Sequence, residues 1–148
     1  MDAYNHALAL DPADAASWNN KGNALSELER HEEALDAYNH ALALDPTLVA
    51  AWNGAGDALS DLQRYEEALI AYNHAVAHPA ADAVAWNNLA WAHVQRRQYE
   101  QALTSVEKSL SLNPNSWEAW DTKSAALRAL GRGAEAEAAE RRAKELGG

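Results

Sequence analysis

Trp18, Trp52, Trp86 and Trp120 follow one another at a constant interval of 34 residues. A long period held this strictly means that one supersecondary unit is used again and again along the chain. Other positions keep the same register. Four residues after each tryptophan stands a small side chain: Gly22, Gly56, Ala90 and Ser124. Seven after it come Leu25, Leu59, His93 and Leu127, and sixteen after it always alanine: Ala34, Ala68, Ala102 and Ala136. Tyr38, Tyr72, Val106 and Glu140 share the next place, followed by Ala41, Ala75, Ser109 and Ala143. The segment DAYNHALALDP occurs unchanged at 2–12 and 36–46.

Each unit reads as two helices. Trp18, Gly22 and Leu25 have the spacing of one helical face. Asp14, Asp82 and Ser116 precede three of the first helices as N-caps, because their side-chain oxygens can accept from the free amides of the first turn. The second helices open on acids that suit the positive end of a helix dipole, Glu32–Glu33 and Glu66–Glu67. They close at Asp45–Pro46, His78–Pro79 and Asn113–Pro114, where proline blocks continuation. Apolar residues make up 48% of the 148, with six Trp, one Met and no Phe. Large anchors set among many alanines suit helices that approach closely, and a pair built this way must be stacked upon by its neighbours.

The 34-residue period, the Trp–small–Leu pattern, the alanine at a fixed place and the closing proline resemble the tetratricopeptide repeat family, over essentially the whole chain. The resemblance implies an all-α fold, a right-handed superhelical solenoid of antiparallel helix pairs with about four and a half repeats. The expected divisions are a half repeat at 1–14 (a second helix only), repeats at 15–48, 49–82 and 83–116, and a terminal repeat at 117–148. Trp18, Trp52, Trp86 and Trp120 are expected on the core side with Ala34, Ala68, Ala102 and Ala136. Pro79 comes one place early, which predicts a local change in the turn after the second full repeat. His93 and Val106 predict looser packing in the third, and Glu140 predicts that nothing stacks beyond the fourth. The opening half-hairpin suggests an excerpt from a longer repeat protein, or an end that another copy covers.

The residues argue against chemistry. The chain has no cysteine, which removes disulfides and thiolate sites. His6, His40 and His74 recur one per repeat, so neighbouring copies sit on helices roughly 8–10 Å apart and cannot share a metal that needs ligands within about 2 Å. Ser26 and Ser60 have no base beside them at helical spacing, and Gly131 and Gly133 belong to a turn, not to a phosphate loop. No enzyme, metal or cofactor is expected. The net charge of −10 speaks against a nucleic acid partner, whose affinity comes from Lys and Arg. No run is long and apolar enough for a membrane span, and no targeting segment is visible, so the cytoplasm is the default location.

What remains is a surface. Residues one, five and nine places after each tryptophan form one stripe of the first helix, the stripe that lines the concave groove in the family. Here the stripes read Asn19–Asn23–Glu27, Asn53–Asp57–Asp61, Asn87–Trp91–Gln95 and Asp121–Ala125–Ala129, with Asn20 and Asn88 beside them. Asparagine is a mediocre helix former, and its amide both donates and accepts. A solvated ladder of Asn19, Asn20, Asn23, Asn53, Asn87 and Asn88, with Asp57, therefore suits the backbone of an extended peptide. Trp91 is a candidate anchor, though a large aromatic is expected to find cover, with Trp117 the nearest candidate. Family members that grip a C-terminal carboxylate use two Lys, an Arg and two Asn. The matching places here hold Asn19, Val84, Asn88, Asn23 and Gly54, so only Asn23 matches. Glu27, Asp57 and Asp61 would repel an acidic tail, and the expected partner is a neutral or basic protein or peptide segment. Two other readings stand beside it: a homo-oligomer joined through the N-terminal half-hairpin, and a consensus-like or engineered repeat without a partner.

Overall fold

The first helices begin where the caps place them. Asp14 accepts from the amides of Ala16 and Ser17, Asp82 from Ala85, and the Ser116 hydroxyl oxygen from Ala119. The computed structural model describes residues 11–148, and among them the backbone forms eight α-helices and no strand. These are α1 (Ala15–Glu27), α2 (His31–Leu44), α3 (Val49–Asp61), α4 (Tyr65–Ala77), α5 (Ala83–Gln95), α6 (Tyr99–Leu112), α7 (Trp117–Ala129) and α8 (Gly133–Glu145). First helices start at 15, 49, 83 and 117, and second helices at 31, 65, 99 and 133. The fold is an all-α helical repeat. Most of the expected half repeat at 1–14 lies outside the described residues.

The second helices have no side-chain cap. Instead Arg30, Arg64 and Arg132, each just ahead of a first turn, clamp Glu33, Glu67 and Glu135 with two parallel N–H to oxygen bonds of 2.6–2.8 Å. Those carboxylates also sit at the positive end of the helix dipole. The turn inside each hairpin repeats too. Glu29, Gln63 and Arg97 take φ of 57°, 59° and 58°, and Gly131 takes 74°. In the first hairpin the following amide, Arg30, closes the turn by donating back to the Leu25 carbonyl. This left-handed residue followed by a back-bonded amide is a Schellman ending. Helix α4 has 13 residues against 14 in α2 and α6, as the early Pro79 predicts.

The chain forms two compact units, Met1–His78 and Pro79–Gly148. In the first, the ring of Tyr38 on α2 lies between Gly22 of α1 and Gly54 of α3, and a Cβ on Gly22 would come within 2.5 Å of it. Tyr72 meets Gly56 in the same way. The aromatic ring thus enters a slot that only glycine leaves open. The four register alanines, Ala34, Ala68, Ala102 and Ala136, are buried. In the second unit the slot is filled by the opposite choice: Val106 and Ala90 are both fully buried, a smaller knob against a larger floor. The looser packing expected from Val106 is therefore not found.

The tryptophans stand at the margin of the core, and Trp120 packs against the buried cluster of the second unit. All four are half-buried, and three fasten their helix to the linker before it. Indole Nε1 donates to the carbonyl six residues upstream, from Trp18 to Pro12 at 3.0 Å, Trp52 to Pro46 at 2.8 Å and Trp120 to Pro114 at 2.9 Å. His40 stacks on Trp18 and His74 on Trp52, with ring centroids 4.4 and 4.2 Å apart. An indole has a polar edge that needs a partner and an apolar face that needs cover, and this position supplies both at the margin of the hairpin. None of the described helices is long and apolar enough to cross a membrane.

Candidate functional site

In the first unit the candidate face is carried by α1 and α3, and the second helices reach into it. The Tyr38 hydroxyl donates to Asn23 Oδ1 at 2.8 Å, and the Tyr72 hydroxyl donates to Asp57 Oδ1 at 2.7 Å. Each tyrosine that fills a glycine slot thus also fixes the side chain on the stripe above it. Burial raises the pKa of the Tyr38 hydroxyl, Ser26 opposes the shift, and the negative charges of Asp57 and Glu27 add to it. These two acids come from different helices, so the stripes of α1 and α3 share one electrostatic environment. Asp57 keeps contact with solvent, yet the protein crowds it closely enough to matter. Desolvation pushes its carboxyl up to about 6, opposed by the Tyr72 hydrogen bond and assisted by Asp61.

The asparagines are less exposed than the solvated ladder expected from sequence. Asn20 and Asn23 are exposed, Asn53, Asn87 and Asn88 are half-buried, and Asn19 is only 8% exposed. Asn19, Asn53 and Asn87 occupy one place in three successive repeats, and each has a buried carboxamide oxygen with no hydrogen-bond partner among the described residues. Such an oxygen costs about 1–3 kcal/mol, so the same unfavourable choice is made three times in register.

The second unit presents a different face. Asn87 and Asn88, with Val84, Asn113, Ser116 and Glu118, line a cavity of about 240 Å³. One turn further along α5, Trp91 is 43% exposed rather than covered. Trp117 does not shield it: that residue is itself 42% exposed, and the two indoles line one cavity of about 380 Å³. Asp121, Arg128, Glu140 and Lys144 surround the same space. Glu140, at the place held by Tyr38 in the first repeat, is bonded to Arg128 at 2.6 Å and to Lys144 at 2.7 Å. Sequence reading did not bring Arg128 or Lys144 to this face. The readable sign was the replacement of the register tyrosine by a glutamate, which calls for cations nearby. Among the described residues no group of three or more His, Cys, Asp or Glu could hold a metal ion.

Two family models, each described as tetratricopeptide repeat, match this sequence, one at residues 15–48 and 83–116 and the other at residues 49–77. The chain is similar to the solved structure of YrrB, described as a TPR protein with an unusual peptide-binding site. Identity is 27% and the TM-score 0.85, over 98% of this chain and 75% of that one. It is similar to pilF of Pseudomonas aeruginosa at 25% identity and a TM-score of 0.87, over 98% of this chain and 66% of that one. The likeness to MamA, at 22% identity and a TM-score of 0.88 over 98% and 85% of the two chains, concerns the fold. None of the curated proteins compared matches this chain.

Proposed function

Because this chain belongs to the tetratricopeptide repeat family, we propose that it is a non-catalytic scaffold that holds a neutral or basic peptide or protein segment on the stripes of its first helices. The observation that carries this reading is the set of register-equivalent carboxamides on Asn19, Asn53 and Asn87, each with an unpartnered buried oxygen. A side chain that weakens the folded state at three equivalent places is explained by what its amide group offers a ligand. An extended backbone presents N–H groups and carbonyls at regular intervals, and a carboxamide, which accepts at its oxygen and donates from its nitrogen, reads both independently of sequence. The rigid helices lower the ordering cost of the complex, and Glu27, Asp57 and Asp61 favour a basic ligand over an acidic one. YrrB, described as having a peptide-binding site, lends support by likeness.

The test combines selection with substitution. Panning a random displayed peptide library on the full chain should enrich peptides of neutral or positive charge. Asn53→Ala with Asn87→Ala should lower the affinity of a selected peptide about tenfold, the ~1.4 kcal/mol of one lost interaction. The same variant should melt at an equal or higher temperature, since two unpartnered oxygens are removed. Enrichment of acidic peptides, or unchanged affinity in the variant, would overturn the proposal.

A further inference from the structure

The Trp91–Trp117 cavity has a chemistry of its own. Each indole is more than two-fifths exposed, an unusual state for a residue that so strongly favours cover. The surface around them holds four charges. Arg128 and Lys144 are both paired with Glu140, so three of the four have a partner within the molecule, and two cations share one carboxylate. Asp121 is exposed and makes no hydrogen bond or ion pair among the described residues. The unspent features of this cavity are therefore two aromatic faces and one carboxylate.

Elsewhere the chain shows what it does with an accessible indole. The Lys21 ammonium lies over the Trp18 ring at 5.0 Å from its centroid, and Lys123 lies over Trp120 at 5.5 Å. The negative face of an indole attracts a cation in this way. Among the described residues Trp91 and Trp117 carry no such cation, although two are close by, because Glu140 holds both. Nor is the cavity shaped for another hairpin of the kind seen in the first unit. The tyrosine knob that fills the glycine slot there is replaced by an ion-paired glutamate, and the position of Leu42 is taken by Lys144.

We propose that this cavity receives one arginine side chain of the bound segment, its guanidinium lying against the indoles of Trp91 and Trp117 and facing Asp121. The inference rests on the reading of the chain as a peptide scaffold and adds the chemistry of one anchor residue to it. The guanidinium is planar, weakly hydrated and able to stack on an aromatic face while bonding a carboxylate in two places. A volume of about 380 Å³ lies within the range of ligand pockets.

The test uses the full chain and a probe with a single side chain, acetyl-Gly-Arg-Gly-amide, followed through the indole N–H signals in a two-dimensional NMR titration. Saturable shifts should be confined to Trp91 and Trp117. The norleucine tripeptide, which keeps the aliphatic stem without the charge, should bind at least tenfold more weakly, as should the glutamate tripeptide. Asp121→Asn, an exposed and nearly isosteric change, should weaken the arginine probe several-fold with the helix content unchanged. No saturable shift, shifts spread over all six indoles, an equal response to norleucine, or an Asp121→Asn protein that binds as before would each overturn the inference. The comparison of probes on the unaltered chain does not depend on the variant. Since the tripeptide is too short to run along the successive stripes, its failure leaves the binding of longer peptides, read through Asn53 and Asn87, standing or falling separately.

Discussion

Single side chains set the spacing of the helices in the first unit. Gly22→Ala should destabilise by about 1–3 kcal/mol, the range for overpacking, because the new methyl meets the Tyr38 ring. Adding Tyr38→Val should recover part of that loss, since it recreates the pairing that Ala90 and Val106 make in the third hairpin. A thermodynamic cycle from urea melts measures the coupling, and strict additivity of the two changes would contradict the slot. Asp57 makes a second prediction. Its folded pKa of about 6 stands above the ordinary 3.8, so the neutral form favours folding. That contribution is complete below 3.8 and is lost as pH rises through 6. Asp57→Asn should therefore stabilise the protein at pH 7–8, by about 1 kcal/mol once solvent screening is allowed for, and should flatten the dependence between pH 4 and 6. Asn23 under Tyr38 shows that the amide fits this place. Melting curves at several pH values check both parts.

At the scale of the helix, the turn is the weak link. Glu29, Gln63 and Arg97 adopt a left-handed conformation that disfavours any residue with a Cβ by roughly 1–2 kcal/mol, whereas the fourth hairpin uses Gly131. Gln63→Gly should stabilise by about 0.5–1 kcal/mol, with some of the gain offset by the freer unfolded chain. Thermal melting reads it, and a lower midpoint would contradict the turn assignment. The helices were legible because their signals are local: Asp14, Asp82 and Ser116 mark starts, prolines mark ends, and the period supplies the rest. The left-handed turns were hidden because long polar residues occupy them, and only Gly131 announces the geometry. The latch made by the tryptophans was hidden for a related reason. Spacing tells that Trp18 and Trp52 share a register but not which edge of the indole is satisfied, and the proline carbonyl six residues upstream decides that. The candidate site was legible as a stripe. The depth of Asn19 and the exposure of Trp91 were not, since both depend on how far neighbouring side chains reach across.

At the scale of the whole molecule, charge is the feature that varies most. Residues 1–82 hold three basic and fourteen acidic side chains, while residues 83–148 hold nine and eight. The proposed basic ligand would be drawn by a field that one half of the sequence supplies, and salt screens such a field over about 10 Å at 0.1 M. Stopped-flow association of a selected basic peptide should slow about tenfold or more between 0.02 and 0.5 M salt, with the dissociation rate changing less; a salt-independent rate would remove steering from the picture. The bond from Trp18, Trp52 and Trp120 to a proline carbonyl has a further consequence, for how such a chain can change its length. In these three, donor and acceptor are six residues apart, so copying or excising a whole unit returns every remaining latch intact. Losing one residue between proline and tryptophan parts a donor from its acceptor. The chain is written in words, and edits are tolerated by the word rather than by the letter.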